Sequence, residues 1–517
     1  MMNAVELGIF ASRIDAVCEE MGASLQRAAL SPNIKDRLDF SCAVFDAAGA
    51  LCAQAAHIPV HLGSMAYAMG EIVSCIDWRP GDMLIVNDPY LGGTHLPDVT
   101  LVAPLFVPEG GVEHLIAFVV NRAHHADIGA AAPGSMPLSA TLVEEGVVIP
   151  PTLLFRAGEV DETVFERITA QSRNIIQSRG DYAAQISANH CGIRRLRVLV
   201  EHLGTTGFRA GLAALNDYAE RLALNSLQAI PDGVYAFHDL MDDDGKGQRD
   251  ILIQVQITVS RGRVHVDFSG TASQVAGNIN CPLSVAAAAI YYVFRCLMPA
   301  RTPACAGSFR PLSLYAPEGC LLNARRPAAV AAGNVETSTR VVDVVLGALA
   351  AALPGRIPAA SQGSMNNIAM GGQTAAGPWD YYETVGGGMG AGPRGGGLSG
   401  VHTHMTNTRN TPVESAEMHY PLRIRRYALR RASGGMGGHC GGEGLVREYE
   451  FLAPASVTLL TERRSHAPWG LQGGGAGSCG LNRLNGVVLP AKTEFEVRSG
   501  DRLEVATPGG GGWGLSK

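Results

Sequence analysis

The sequence predicts a mixed α+β fold, β-rich, with helices packed on sheets. Three observations carry this. Apolar residues recur at helical spacing in several long segments, first at Ile9, Ile14, Val17 and Met21. Short segments rich in Val, Leu and Ile lie between turn signals and read as strands. Glycine supplies 63 of 517 residues, clusters late and is interleaved with apolar segments, a sign of tight turns rather than disorder.

In chain order, Glu6 to Leu30 reads as an amphipathic helix ending before the turn signal Ser31-Pro32-Asn33. RLDFSCAVFDAAGALCAQ alternates around Ala47-Ala48-Gly49 and predicts a hairpin, with Asp39 at its first strand. Met65 to Ile76 reads as a helix. Asp82 to Val86, Thr100 to Phe106 and Leu115 to Val120 read as strands. Asp181 to Leu203 is a helix closed by Gly204, and a second helix spans Phe208 to Ala229.

Beyond residue 230 the character changes. Strands are predicted at Ile251 to Val259 and Val264 to Phe268, and a helix at Arg340 to Leu353. Residues 371–400 are glycine-rich, and short strands run from Val446 onward. This gives three regions, 1–230, 231–445 and 446–517, with no linker between them.

Composition excludes several classes. The chain is 46% hydrophobic and 17% charged, so it can bury a large core. Charged residues are scarce against the usual quarter or so, which points to buried interfaces with other chains. Net charge is −6, from 41 basic and 47 acidic residues, with no basic stripe, so no nucleic-acid partner is expected. Eleven cysteines form no CxxC pair, and MMNAVELGIF has no secretory leader pattern, so reduced thiols in the cytoplasm are expected. The longest apolar run, Cys281 to Phe294, falls short of the roughly 20 residues that span a membrane. It reads as a buried helix or strand in a soluble protein.

The chemistry-bearing residues concentrate early. NDPYLGGTHLPDVTLVAPLF places His95-x-x-Asp98 in a turn stiffened by Pro89, Gly92, Gly93 and Pro97, directly before a strand. The form recurs at His124-x-x-Asp127, and Asp39 lies upstream. All three segments fall at ends of predicted neighbouring strands, where their side chains can converge. Imidazole and carboxylate without thiolate suit zinc, manganese or iron. Turn histidines hydrogen-bonded to carboxylates fit the same spacing.

Three later motifs are less specific. Gly390-x-Gly392-x-x-Gly395 matches a dinucleotide fingerprint, but Pro393 sits inside it and no helix follows. A glycine loop whose backbone approaches a ligand or partner closely is the better reading. His402-x-His404 alternates on a predicted strand, as a second metal pair or a satisfied histidine face. In GNVETSTR, Thr337 and Ser338 read as caps of the following helix, with Glu336 in its first turn. The Asp242–Gly245 run reads as a solvated turn. No GxxxxGK motif, GxSxG elbow or HExxH helix occurs.

Taken together, these segments resemble the hydantoinase B family, the B-type components of ATP-dependent hydantoinases and 5-oxoprolinases. The matching motifs include RLDFSCAVFD, the turn quoted above, RAHHADIG, SRGDYAAQ, DFSGTASQVAGNIN, GNVETS, MNNIAMGG, YYETVGGGMGAG, VHTHMTNTRNTPVE, YPLRIRRYALRRASGG and TPGGGGWG, in order from about residue 30 onward. The resemblance implies a hetero-oligomer with a hydantoinase A-like ATPase. That partner phosphorylates the ring carbonyl of a small cyclic amide or imide, and the B-type component adds water and opens the ring. It implies relatives among caprolactamase and the acetone and acetophenone carboxylases. A component of such a carboxylase is the alternative, and a non-catalytic scaffold a third.

The resemblance further implies one divalent metal, zinc, manganese or iron, held by Asp39, His95, Asp98 and His124 to acidify a water. His124 is preferred to His125 because relatives often carry an aromatic residue at the second place. Asp127 would stand behind the ligands or serve as an additional ligand. Glu144 or Glu145 in EEGVVIPP would act as general base or as proton donor for the departing amine, a surface salt bridge being the other reading. Glu383, His402, His404, Asn407 and Arg409 are candidates for contacts with substrate or partner. Ala130 stands where the family often has glycine, which puts the local loop geometry in doubt.

Overall fold

A computed structural model describes residues 2–55, 57–375 and 377–516. Position 376, inside the predicted glycine-rich run, lies outside them. The first sheet contains Phe40–Asp46 (β1), Leu51–Gln54 (β2), Met83–Val86 (β3), Asp98–Glu109 (β4), Val112–His124 (β5), Thr152–Arg156 (β6) and Glu159–Val160 (β7). Its order is β2-β1-β5-β4-β3-β6-β7, and neighbouring strands are antiparallel. Gly110 and Gly111, with φ of 62° and 83°, close the β4–β5 hairpin, a conformation a two-residue hairpin turn demands.

Both faces of this sheet are covered, which is why its strands read as nearly continuous apolar runs. Val44, Leu101 and Val119 face a core shared with Phe10, Ile14 and Met21 of the Ala4–Ala28 helix. Phe45, Val102 and Phe118 face Met65 and Met69 of the Pro59–Ser74 helix. That helix begins six residues before the predicted start. Ile58 precedes it without a side-chain cap, so the start is marked only by Pro59 at the first helical position. The two predicted helices 181–203 and 208–229 form one rod, Ile175–Leu227, broken at Gly204 (φ 70°, ψ 157°).

Gly233–Asp243 (β8), Arg249–Ser260 (β9), Arg263–Asp267 (β10) and Leu312–Tyr315 (β11) form the second sheet, in the order β11-β10-β9-β8. The apolar run at 281–294 resolves as the Leu283–Leu297 helix. It packs so closely on the Pro59–Ser74 helix that a Cβ on Gly63 would lie 2.6 Å from Ala288 Cα. The Asp242–Gly245 run is not a solvated turn. The Asp242 carboxylate is buried and accepts the backbone N–H groups of Arg464, Ser465 and His466 at 2.6–3.2 Å.

The remaining strands are Asn367–Thr374 (β12), Gly377–Glu383 (β13), Leu422–Arg430 (β14), Gly444–Phe451 (β15), Ala455–Leu460 (β16), Leu481–Leu484 (β17), Val487–Leu489 (β18), Lys492–Val497 (β19) and Arg502–Ala506 (β20). They build two sheets, β13-β12-β16-β19 and β14-β15-β20-β17-β18, around a core containing Ile368, Tyr449, Val457 and Leu503. β15 spans the 445/446 division expected from composition, and β12 pairs with β16 across it.

The late glycines pack backbone on backbone within the chain itself. A Cβ on Gly390 would lie 1.9 Å from Ala359 O, and one on Gly510 would lie 2.1 Å from Met389 O. Among the described residues no helix is long and apolar enough to cross a membrane.

Candidate functional site

The register of the first sheet brings the early motifs together. Asp98 opens β4 directly opposite His124, the last residue of β5. On the other side of β5, Phe40 pairs with Ala123, and the His124 N–H donates to Asp39 O. Asp39, Asp98 and His124 therefore occupy one end of three adjacent strands. The turn before β4 adds His95.

That turn is held from several sides. Asn87 Nδ2 donates to Leu96 O and Val147 O, each at 2.9 Å. Gly93 has no room for a side chain, since a Cβ there would lie 2.6 Å from Asn87 O. The buried Arg122 guanidinium donates to Thr100 Oγ1, Ser64 Oγ and Gly92 O at 2.7–2.9 Å. It ties β4, the Pro59–Ser74 helix and the turn into one unit.

Asp98 lies at the centre and is fully buried. Its Oδ1 is 3.2 Å from His95 Nε2 and 3.1 Å from His124 Nδ1, and these two nitrogens are 3.2 Å apart. Its Oδ2 accepts from Thr94 Oγ1, from His61 Nε2 at 3.0 Å and from Asn334 Nδ2 at 3.3 Å. Asp39 is 4.0 Å from His61 Nε2 and 3.7 Å from Arg37. Tyr382 stacks on His124 with ring centroids 4.7 Å apart.

Chemistry assigns the protons. His95 Nδ1 lies 3.1 Å from Ala331 O. A carbonyl only accepts, so Nδ1 carries the hydrogen, and Nε2 of the neutral ring aims a lone pair at the Asp98 carboxylate. Acceptor atoms converge there unless a proton or a cation lies between them.

The charge balance agrees. Burial alone would raise the Asp98 carboxyl, but the charges of His61 and His95 and hydrogen bonds from His124 and His61 outweigh it and hold it well below its usual range. Burial opposes protonation of His95, yet Asp98 beside it carries the net shift upward. Burial holds His124 down. Positive charge is thus favoured beside Asp98.

His95, Asp98 and His124 each offer a ligand atom within 4.8 Å of the others'. Two imidazoles and a carboxylate suit zinc, manganese or iron. The His95 Nδ1–H bond to a backbone carbonyl is the outer support that metal-bound histidines usually have. A cavity of about 20 Å³ adjoins the cluster, lined by Asp39, His61, His95, His124, Asn334 and Tyr382 among others. His124 Nε2 and Asn334 Oδ1 are buried without a partner.

The other expected residues lie elsewhere. Asp127 accepts from Arg173 and from the Gly129 N–H, outside the cluster. His125 bonds Gln185 and stacks on Tyr182. Glu144 is exposed, its pKa lowered by hydrogen bonds from Ala140 N and Thr141. Glu145 is buried and accepts from Ser139 Oγ, Val330 N and Ala331 N at 2.8–2.9 Å. Burial pushes its carboxyl up to about 7. Neither glutamate lines the cavity.

Glu383 is buried against Arg447 and accepts from Thr411 N and Asn410, so it ties down the 402–411 loop. His402 and His404 are not on a strand. His404 has φ 60° and lies beside Tyr292, while both ring nitrogens of His402 are buried without partners. Asn407 and Arg409 are exposed; Asn407 donates to His57 O and the Arg409 N–H to Arg37 O. Between them and the histidines, Met405 and Thr406 line the cavity.

His61, Asn334 and Tyr382 are among the cavity residues that escaped the sequence reading. His61 sits in the first turn of a helix expected to start at Met65. Asn334 sits in GNVETS, whose hydroxyls do not cap the next helix. Residues Gly333–Thr337 form a π-turn; Thr337 Oγ1 donates to Ile279 O and Ser338 Oγ to Asn334 O. Glu336 is buried and accepts from Met365 N and Asn367.

Comparisons with known proteins agree on one family. The Hydantoinase B/oxoprolinase profile matches residues 3–516. The chain is 39% identical over 553 residues to 5-oxoprolinase 1 of Arabidopsis thaliana, covering 99% of this chain and 42% of that protein. It thus spans less than half of that relative. It is 31% identical over 539 residues to a Pseudomonas sp. (strain NS671) protein named as the B component of a D-/L-hydantoinase, covering 99% and 90% of the two. The crystal structure of ATP-dependent caprolactamase from Pseudomonas jessenii superposes with a TM-score of 0.92 at 27% identity, covering 100% and 92%.

Proposed function

Because the chain belongs to the hydantoinase B/oxoprolinase family, we propose that it is the ring-opening component of an ATP-dependent cyclic amide hydrolase. It works in a hetero-oligomer with an A-type ATPase. The name of the B-type relative supports an A-type counterpart, and since the sequence has no P-loop motif we place the nucleotide site in that partner. Eleven free cysteines fit a reducing cytoplasm. In the net reaction one C–N bond of the ring breaks; water gives a hydroxyl to the carbonyl carbon and a hydrogen to the nitrogen. A second water is consumed with ATP, which leaves as ADP and phosphate.

The observation that carries this reading is the buried convergence of His95, Asp98 and His124 on one point beside a cavity. His95 Nε2, Asp98 Oδ1 and a nitrogen of His124 would hold a divalent cation, with Asp39 as the further donor. When bound, such a cation acidifies water and polarises a carbonyl oxygen. His61 and Thr94 hydrogen-bond the second Asp98 oxygen and fix the carboxylate plane. Glu145 acts behind the site: it fixes the Val330–Ala331 backbone whose carbonyl sets the His95 tautomer. Tyr382, stacked on His124, keeps that ring in place and bulk water out.

The test is metal analysis of the purified chain beside Asp98→Asn, with ring opening measured after adding an A-type partner. About one zinc, manganese or iron per chain, lost together with ring opening in a folded Asp98→Asn protein, supports the reading. Full ring opening by metal-free protein overturns it.

A further inference from the structure

We infer that Asn334 is a catalytic residue that holds the attacking water through its side-chain oxygen. The assignment rests on the hydrolase reading and adds a residue to it.

Hydrogen bonding fixes the direction of the amide. Asn334 Nδ2 is 3.3 Å from Asp98 Oδ2. A carboxylate oxygen only accepts, and this one already receives the Thr94 hydroxyl and His61. The NH2 end must therefore face Asp98, and Oδ1 points the other way. That oxygen is buried and has no partner, while the residue itself is 3% exposed and lines the cavity. An acceptor left in this state calls for a donor.

Size names the donor. About 20 Å³ holds one water and cannot hold an amide ring. The same cavity is lined by His124, whose Nε2 is also buried and unpartnered. When His124 offers Nδ1 to the cluster, Nε2 carries the hydrogen. A water there donates to Asn334 Oδ1 and accepts from His124 Nε2–H. It retains a lone pair for attack on the carbonyl carbon. A C–O bond forms, the ring C–N bond breaks, and the proton the water gives up ends on the departing nitrogen.

The chain invests structure in this one side chain. The π-turn Gly333–Thr337 inserts an extra residue ahead of the Ser338–Ala352 helix, a device frequent at functional sites. Gly333 is pressed on a neighbouring strand of backbone, since a Cβ there would lie 1.9 Å from Asn280 O. The N–H groups of Ala332 and Gly333 both donate to Asn278 O, and Ser338 Oγ donates to Asn334 O. Backbone clamped on both sides leaves the Asn334 side chain little freedom.

The test pairs a high-resolution crystal structure of the chain with kinetics of Asn334→Ala and Asn334→Ser in the reconstituted complex. Expected are an ordered water within hydrogen-bond distance of Oδ1 and, with metal supplied in excess so that loss of the Asn334 Nδ2 bond to Asp98 does not empty the site, a fall in kcat of about 100-fold with KM little changed. ATP spent per ring opened rises, because activation continues while water addition fails. A dry cavity, or Oδ1 bound directly to the cation, overturns the proposal, as does an unchanged kcat. The crystal structure decides even if neither variant folds. Absence of ring opening by the wild-type complex would count against the hydrolase reading instead, and the position of the water would still be read independently.

Discussion

Glu145 and His95 grip the same residue from opposite ends. Glu145 accepts the Ala331 N–H at 2.9 Å, and His95 Nδ1 donates to the Ala331 carbonyl at 3.1 Å. The two side chains are 50 positions apart in sequence and never touch; a single residue of backbone transmits position from one to the other.

Glu145→Gln retains an acceptor at Oε1, and Glu145→Ala removes it. The alanine variant leaves two buried N–H groups and the Ser139 hydroxyl without that acceptor, at about 1–3 kcal/mol for each unsatisfied group. Metal affinity is expected to fall 10–100-fold in Glu145→Ala and to stay near wild type in Glu145→Gln. The Glu145 pKa, raised by burial to about 7 from 4.5, makes this group's contribution pH-dependent. The folded state holds the proton more tightly, so the contribution is full below pH 4.5 and is lost as pH rises through about 7. Urea unfolding of metal-free protein between pH 5 and 8 checks this: Glu145→Gln should show a flatter profile than wild type.

His61 donates to Asp98 Oδ2 at 3.0 Å from a helix pinned at Gly63. His61→Ala is expected to weaken metal binding by 10–100-fold, measured by chelator competition, with secondary structure retained by circular dichroism. Wild-type affinity in that variant would remove His61 from the site.

The isolated chain is expected to lack ATPase activity, and ring opening by the complex to proceed equally with and without bicarbonate. Phosphate release and product assays measure both. Bicarbonate dependence would favour carboxylation chemistry.

The residues that meet at this end of the first sheet were legible because they sit at or beside the ends of recognisable strands. Asp39, His95, Asp98 and His124 each adjoin an apolar run whose pairing brings the ends together. His61 was missed, since the helix that carries it starts behind an uncapped Ile58 and its one start signal, Pro59 at the first helical position, was not read as such. Asn334 was hidden for a different reason. A π-turn has no distinctive periodicity, and its Ser and Thr residues imitate a helix cap while bonding backbone carbonyls elsewhere. Asp127 repeats the His95-x-x-Asp98 spacing but follows the end of β5, so its carboxylate turns to Arg173 instead.

The backbone-on-backbone packing of the late glycines has a consequence for how the protein matures. The Thr507 hydroxyl donates to Gly386 O, and the Gly388 N–H donates to Pro508 O. The segment they brace runs on to Met405 and Thr406, which wall the cavity. On the ribosome, Asp39, His95, Asp98 and His124 emerge hundreds of residues before Thr507. The sheet ends that carry Asp39, His95, Asp98 and His124 can therefore pair early, while Ala331 and Asn334 join them later and the braced cavity wall waits until Thr507 and Pro508 have been made.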